Sequence, residues 1–242
     1  MSQAADAWRK VPGLARLASG LRRLRNRLMG SGLMGSAGAD AFPGSAEYWR
    51  ERYAAGGDSG AGSYGKFAAF KAKVLNALFE EQGVTSVVEF GSGDGNQLTL
   101  LNVPDYLGVD ISVEAVALCR ERFAAVPGRR FVLADDYRPA PTDCALSLDV
   151  IYHLVEEAAF DAYMRRLFAA ASHLVVIYSS NRDADAADGA HVRHRRFTDW
   201  VIAHEPRWRL LRHVPNEHPF RGDYRSGSFA DFYIYAPHPA AQ

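Results

Sequence analysis

Three glycines spaced two apart, Gly91, Gly93 and Gly95, close the segment Val87-Val-Glu-Phe-Gly-Ser-Gly-Asp-Gly95. Glycine is needed where the backbone turns sharply or a ligand must come close to the main chain. The β-branched run Thr85–Phe90 leads into this loop. Asn96–Leu101 then reads as a helical turn, whose free N–H groups would favour negative ligand groups. The spacing is GxGxG, because Asn96 stands where a dinucleotide turn has its third glycine. Glu89 lies two residues before Gly91. An acid there would repel a pyrophosphate but suits a ligand carrying an amino group. Asp110 ends the next strand-like run, Tyr106–Asp110, and can accept both hydroxyls of a ribose. After a third run, Arg130–Ala134, come Asp135 and Asp136, where a carboxylate can accept from an adenine amino group. Asp135 is the first to leave the strand and is favoured. Ribose, adenine, an ammonium and no phosphate fit this set. A plain strand-to-helix turn or a nicotinamide dinucleotide site are the alternatives.

Four segments then stand in a familiar order and spacing: Glu89-Phe-Gly-Ser-Gly-Asp-Gly95, Gly108-Val-Asp110, Ala134-Asp-Asp-Tyr137 and Leu146-Ser-Leu-Asp-Val-Ile-Tyr-His-Leu154. Together they resemble the class I S-adenosylmethionine-dependent methyltransferases, over about residues 45–236. The resemblance implies S-adenosylmethionine as cofactor. It would set Gly91, Gly93 and Gly95 along its methionine portion and ribose, Asp110 and the adjoining Ile111 at the ribose, and Asp135 at adenine. Glu89 would act through water or the loop backbone. Asp149 would stand near the methionine amino group or the acceptor, unless it caps the following helix. The implied fold is α/β, a Rossmann-like, seven-stranded, mostly parallel sheet with helices on both faces. The final strand is antiparallel and inserted beside the fifth. Tyr48-Trp-Arg-Glu-Arg-Tyr53 through Gly65 resembles the helical lid of some small-molecule methyltransferases, with Tyr48 and Tyr64 as acceptor contacts.

Ligands of an open α/β sheet bind at the carboxyl ends of its strands. Acceptor chemistry is therefore expected from Asp149–Glu157, Ser180–Arg196 and Pro215–Ser228. His153 follows the fourth strand and is the first candidate for a general base, with His191 and His194 next. Tyr152, Arg193, Arg196 and Arg221 are candidate acceptor contacts. In the run His191-Val-Arg-His-Arg-Arg196 five of six residues are His or Arg, which suits an anionic acceptor or a basic helix start balanced by nearby acids. Asn181–Ala190 reads as a mobile gate or an ordinary surface loop. No His/carboxylate set has the look of a metal centre, so a metal-independent enzyme is expected.

These residues need a frame, and the chain of 242 residues supplies one. Strand-like runs alternate with helical ones up to Phe197–His204, and two strands, Trp208–Val214 and Phe229–Ala236, close it. The expected organisation is a basic amphipathic arm and flexible linker over residues 1–44, then a catalytic domain over residues 45–242. In the arm, Leu14, Leu17, Leu21, Leu24 and Leu28 share a helical face between arginines. Residues 8–29 are a candidate for weak contact with a membrane surface or a second subunit, or simply a loose tail. The first 30 residues hold seven basic side chains against Asp6 alone, leaving 21 basic against 27 acidic in the rest. That acidic remainder argues against a nucleic-acid partner, and the resemblance to the methyltransferases implies a small-molecule or saccharide acceptor. Cys119 and Cys144 form no CxxC pair and read as buried reduced thiols. No secretory signal or membrane-spanning run is visible, so a cytoplasmic enzyme, peripheral to a membrane at most, is expected.

Overall fold

Five apolar runs lie side by side in parallel: β1 (Ser86–Phe90), β2 (Asp105–Asp110), β3 (Arg129–Leu133), β4 (Cys144–Leu148) and β5 (Leu174–Ser179). β4 and β5 are buried at every residue, as continuous apolar strands covered on both faces must be. Two further strands, β6 (Trp208–Val214) and β7 (Asp231–Pro237), complete a seven-stranded sheet of order β3-β2-β1-β4-β5-β7-β6. β7 runs antiparallel to both its neighbours. The fold is the Rossmann-like sheet expected, with the antiparallel strand beside the fifth. The computed structural model describes residues 42–186 and 188–239. The arm predicted over residues 8–29 lies outside them.

Alternate residues of each strand feed two cores, as the period of two requires. Val87 of β1 joins Phe70, Leu75 and Leu78 of α2 (Gly65–Gln82) on one face. Val88 joins Phe160, Met164 and Phe168 of α4 (Glu157–Ala169) and Phe197 of α5 (Phe197–His204) on the other. α1 (Ser45–Ala54) precedes these, and α3 (Val113–Arg122) follows β2. The Ser112 hydroxyl caps α3 by accepting from the Ala115 N–H at 3.2 Å. Both cysteines are buried and free. Among the described residues no helix is long and apolar enough to cross a membrane.

Two local details shape the site. The helical turn expected after the glycine loop is a single 3-10 turn, Gln97–Leu100, and not the start of a longer helix. Its Leu98 and Leu101 are drawn into the core, and β2 begins only a few residues later. Ser45 does not cap α1. Its N–H donates to Glu156 Oε1 at 2.9 Å and its hydroxyl accepts from the Val155 N–H at 2.8 Å, which ties α1 to the loop before α4.

The strand order reverses between β1, which is flanked by β2, and β4 on its other side. A crevice opens there at the carboxyl ends of the strands.

Candidate active site

That crevice is a cavity of about 540 Å³. Its floor holds Glu89, Gly91, Ser92, Gly93, Asp110 and Ile111, six residues from β1, β2 and the turns that follow them. Asp110 is nearly buried. Its two carboxylate oxygens accept from the Gly93 N–H at 2.8 Å and the Ser112 N–H at 3.0 Å, so the loop and the end of β2 are braced by one side chain. Burial pushes the Asp110 carboxyl up, against these two N–H bonds. Gly93 has φ +57, and a Cβ there would sit 2.2 Å from Ser59 Oγ. Gly95 is not part of the lining. A Cβ on it would meet Phe123 at 2.8 Å and Cys119 at 2.9 Å, so this glycine lets α3 pack close under the loop.

Glu89 is buried beneath the loop and accepts from the Tyr106 hydroxyl at 2.5 Å. Desolvation raises its pKa to about 7, against the Tyr106 bond and the field of Lys71. Asp94, in the middle of the loop, accepts from the Tyr64 hydroxyl, the Ser59 N–H at 3.2 Å and the Asn96 N–H at 2.9 Å. Burial would raise its pKa, but these bonds win and hold it below the ordinary carboxylate value.

Tyr64 and Ser59 belong to the segment between α1 and α2. Ser59 Oγ lies 2.9 Å from the Tyr53 hydroxyl and accepts from the Asp94 N–H at 3.0 Å, so this segment is fastened over the glycine loop through Ser59 and Tyr64. Tyr48 of α1 stacks on His191 at 5.0 Å and His191 on His153 at 5.7 Å, while Trp49 meets His153 edge-on.

Asp149, just past β4, has φ +60 and lines the cavity. Its Oδ2 accepts from Lys71 Nζ at 2.7 Å and its Oδ1 from the Tyr152 hydroxyl at 2.9 Å. Both oxygens are held by side chains, so it is not a helix cap. Gly62 lies against it, close enough that a Cβ would fall 2.8 Å from Oδ2.

Lys71 went unnoticed in the sequence. It is 1% exposed, with its ammonium also 5.2 Å from the Tyr178 ring centroid. A signal existed: Lys71 interrupts the apolar stripe of α2, four residues after Phe67 and four before Leu75. Trp49, Tyr53, Ser59, Asp94 and Tyr163 also line the cavity and were not singled out.

His153 lines the cavity too, and its Nδ1 lies 3.0 Å from the His191 carbonyl. A carbonyl only accepts, so Nδ1 carries the proton and Nε2 keeps a lone pair. Burial lowers the His153 pKa to about 4, so the ring is neutral near pH 7. The other candidates are dispersed. His194 is buried outside the lining, with Nδ1 2.5 Å from Ser180 Oγ and Nε2 3.5 Å from Asp188. Arg193 pairs with Glu157 at 3.1 Å and Arg196 with Asp183 at 3.2 Å. The loop they follow is itself pinned by Arg182 on Asp188 at 2.6 Å. Asp135 is exposed and outside the lining, where Ala134 stands instead. Arg221 lies on the exposed loop before β7.

Residues 63–220 match the model of a family described as the methyltransferase domain. The chain belongs to that family. Methyl transfer, not hydride transfer, is thus the chemistry of this glycine loop, and the methyltransferase uses S-adenosylmethionine. Solved structures share the fold. Magnesium protoporphyrin IX methyltransferase (ChlM) from Synechocystis PCC 6803, with bound SAH, is 14% identical, with 91% of this chain and 95% of that chain covered, at TM-score 0.56. The methyltransferase domain of a bacterial Hen1 (CtHen1) is 19% identical, over 70% and 98%, at 0.55. CcbJ from Streptomyces caelestis is 15% identical, over 74% and 93%, at 0.54. No curated protein matches the methyltransferase.

The cavity fits its cofactor. Glu89, Asp94, Asp110 and Asp149 line it with Glu47 and Glu156, six acids against the three cations Arg50, Lys71 and Arg166, an excess suited to a sulfonium cation with an ammonium. The Ser92 hydroxyl is buried there with no hydrogen-bond partner among the described residues. Among those residues no group of three His, Cys, Asp or Glu is placed to hold a metal ion.

Proposed function

We propose that this methyltransferase methylates an oxygen of a small or medium polar acceptor, such as a sugar, a surface-polysaccharide precursor or a secondary metabolite. The observation that carries the reading is the state of His153: neutral, proton on Nδ1 by its bond to the His191 carbonyl, lone pair on Nε2, in the cavity wall. S-adenosylmethionine, when bound, supplies a methyl group on a positively charged sulfur. Gly91, Gly93, Ser92, Asp110 and Ile111 would hold it, with Asp110 at its ribose. His153 Nε2 takes the proton from an acceptor hydroxyl. Asp149, fixed by Lys71 and Tyr152, orients that hydroxyl or the cofactor's ammonium. The segment between α1 and α2 excludes water from above.

A pKa of about 4 makes His153 a weak base but keeps it deprotonated at working pH. That suits a transfer whose donor is already activated and which needs only a place for the proton. The test is incorporation of labelled methyl from S-adenosylmethionine into a panel of hydroxylated sugars and phenols. Label is expected in a hydroxyl compound, and His153→Gln should cut turnover about 100-fold with S-adenosylhomocysteine affinity unchanged. Label confined to protein, nucleic acid or amine acceptors would overturn the reading.

A further inference from the structure

The β6–β7 connection, residues 215–230, emerges at the same edge as the cavity. Ser179 at the end of β5 pairs with Asp231 at the start of β7, and Val214 at the end of β6 pairs with Phe232. On this connection Phe220 and Tyr224 stack at 4.5 Å and 29°, and they are 38% and 60% exposed. The same loop carries Arg221 and Arg225. The Arg221 side chain has no hydrogen bond or ion pair among the described residues and the Arg225 side chain stands only in the field of the exposed Asp223, whereas Arg193, Arg195 and Arg196 are all engaged by carbonyls or acids.

The loop is braced against the site at two points. Lys66, at the start of α2, donates to the Ser226 carbonyl at 2.7 Å. Tyr224 meets Phe229 edge-on, Phe229 meets Tyr152 edge-on, and the Tyr152 hydroxyl donates to Asp149 in the cavity wall. An exposed aromatic pair beside two arginines, of which only Arg225 has an acid nearby, offers a flat face and two planar cations to an anionic ligand.

The size of the cavity says where that partner stands. A cleft of about 300–1,000 Å³ holds one drug-sized ligand. At about 540 Å³ this one is filled mainly by the cofactor, so an acceptor enters with its reacting group and leaves the remainder outside. The geometry points to an outer acceptor subsite on the β6–β7 loop that takes an acidic sugar unit. The flat face of the sugar ring packs on Tyr224, and Arg221 and Arg225 bind its carboxylate or phosphate through their planar forks. The inference rests on the methyl-transfer reading of the cavity and narrows its acceptor to an anionic saccharide.

The test is calorimetry on the full chain saturated with S-adenosylhomocysteine. It is titrated with a trimer of galacturonic acid, with glucose 1-phosphate, with maltotriose as the neutral counterpart and with inorganic phosphate. Saturable binding of at least one acidic sugar is expected, weakening with salt, and none of maltotriose. Arg221→Gln/Arg225→Gln should weaken it about tenfold or more and Tyr224→Ala about fivefold, with S-adenosylhomocysteine affinity and Tm unchanged. Which acidic sugar binds separates a uronate from a sugar phosphate. The subsite is overturned if neither acidic sugar binds, if the variants bind it as tightly as the parent, or if inorganic phosphate binds equally well. It is also overturned if the arginines prove to govern capture of anionic lipid vesicles and not of sugar. Because cofactor binding is read in the same samples, S-adenosylhomocysteine binding without sugar binding sinks the subsite alone, while loss of both sinks the reading of the cavity.

Discussion

Two stretches of this chain carry residues dense enough in chemistry to look built for a ligand: Gly91–Gly95 and His191–Arg196. The first lines the cavity through Gly91, Ser92, Gly93 and Asp94. The second lends it nothing directly. His194 is turned to Ser180 and Asp188, Arg193 and Arg195 bind the carbonyls of residues 154 and 155 together with Glu157, and Arg196 pairs with Asp183. What reaches the site is the His191 carbonyl, through His153. Glycine spacing states a backbone path, which is local and survives folding. A run of charges states only a demand for partners, and the fold meets that demand with whatever carbonyls and acids lie nearby.

The same contrast between a committed group and a spare one gives the largest expected effect. Lys71→Met strands Asp149 as an unpaired charge in the cavity wall and should cost about 3–5 kcal/mol in chemical denaturation. The double variant Lys71→Met/Asp149→Asn should recover most of that stability. Equal loss in single and double variants would mean that packing of the lysine stem, not the ion pair, matters. Gly93→Ala comes next. It adds a Cβ at φ +57 and 2.2 Å from Ser59 Oγ, and should weaken S-adenosylhomocysteine binding about 100-fold by calorimetry. It should also open the segment between α1 and α2 to protease. Unchanged affinity would show that this segment yields at no cost.

The fold was legible because strand and helix periods repeat over many residues, and so was the placing of Gly91, Gly93 and Asp110 in the crevice, which depends on strand ends close in sequence. Lys71 was visible as a charge inside an apolar stripe, but nothing local says that Asp149, 78 residues on, receives it. His153 was found by position, yet its tautomer depends on a carbonyl 38 residues away. The helical turn expected after the glycine loop forms as one 3-10 turn and goes no further, because Leu98 and Leu101 serve the core before a second turn can form. Asp135 marks the opposite case: a motif match put an acid at the adenine, while the cavity lining passes through Ala134 beside it.

pH separates two groups of the site. Glu89 is raised from 4.5 to about 7, so the folded state holds its proton longer than the unfolded one. Its contribution is complete below about 4.5 and is lost as pH rises through about 7. His153 is lowered from 6.5 to about 4, so its contribution is complete above 6.5 and is lost as pH falls toward 4. Their slopes oppose each other where the two ranges overlap, so Tm of the apo protein should be level between about pH 4.5 and 6.5 and fall on either side. Glu89→Gln should extend the plateau to higher pH, with a gain of several degrees at pH 8 and none at pH 5. A gain of the same size at both pH values would show that desolvation of the charged carboxylate is not the cause.

The smallest effect is the sharpest test of the comparison. Arg196 and Asp183 are 62% and 79% exposed at the side chain, and an ion pair so open to water holds little. Arg196→Gln should leave Tm, S-adenosylhomocysteine affinity and methyl transfer within about twofold of the parent. The same change at Arg221 alone should weaken capture of an acidic sugar. Both substitutions remove one positive charge from an exposed position on the same side of the sheet, so long-range attraction falls equally in each and only a direct contact can separate them. If Arg196→Gln instead lowers turnover tenfold with cofactor affinity intact, the basic run opens its internal pairs when acceptor arrives. The division drawn between the two stretches then reverses.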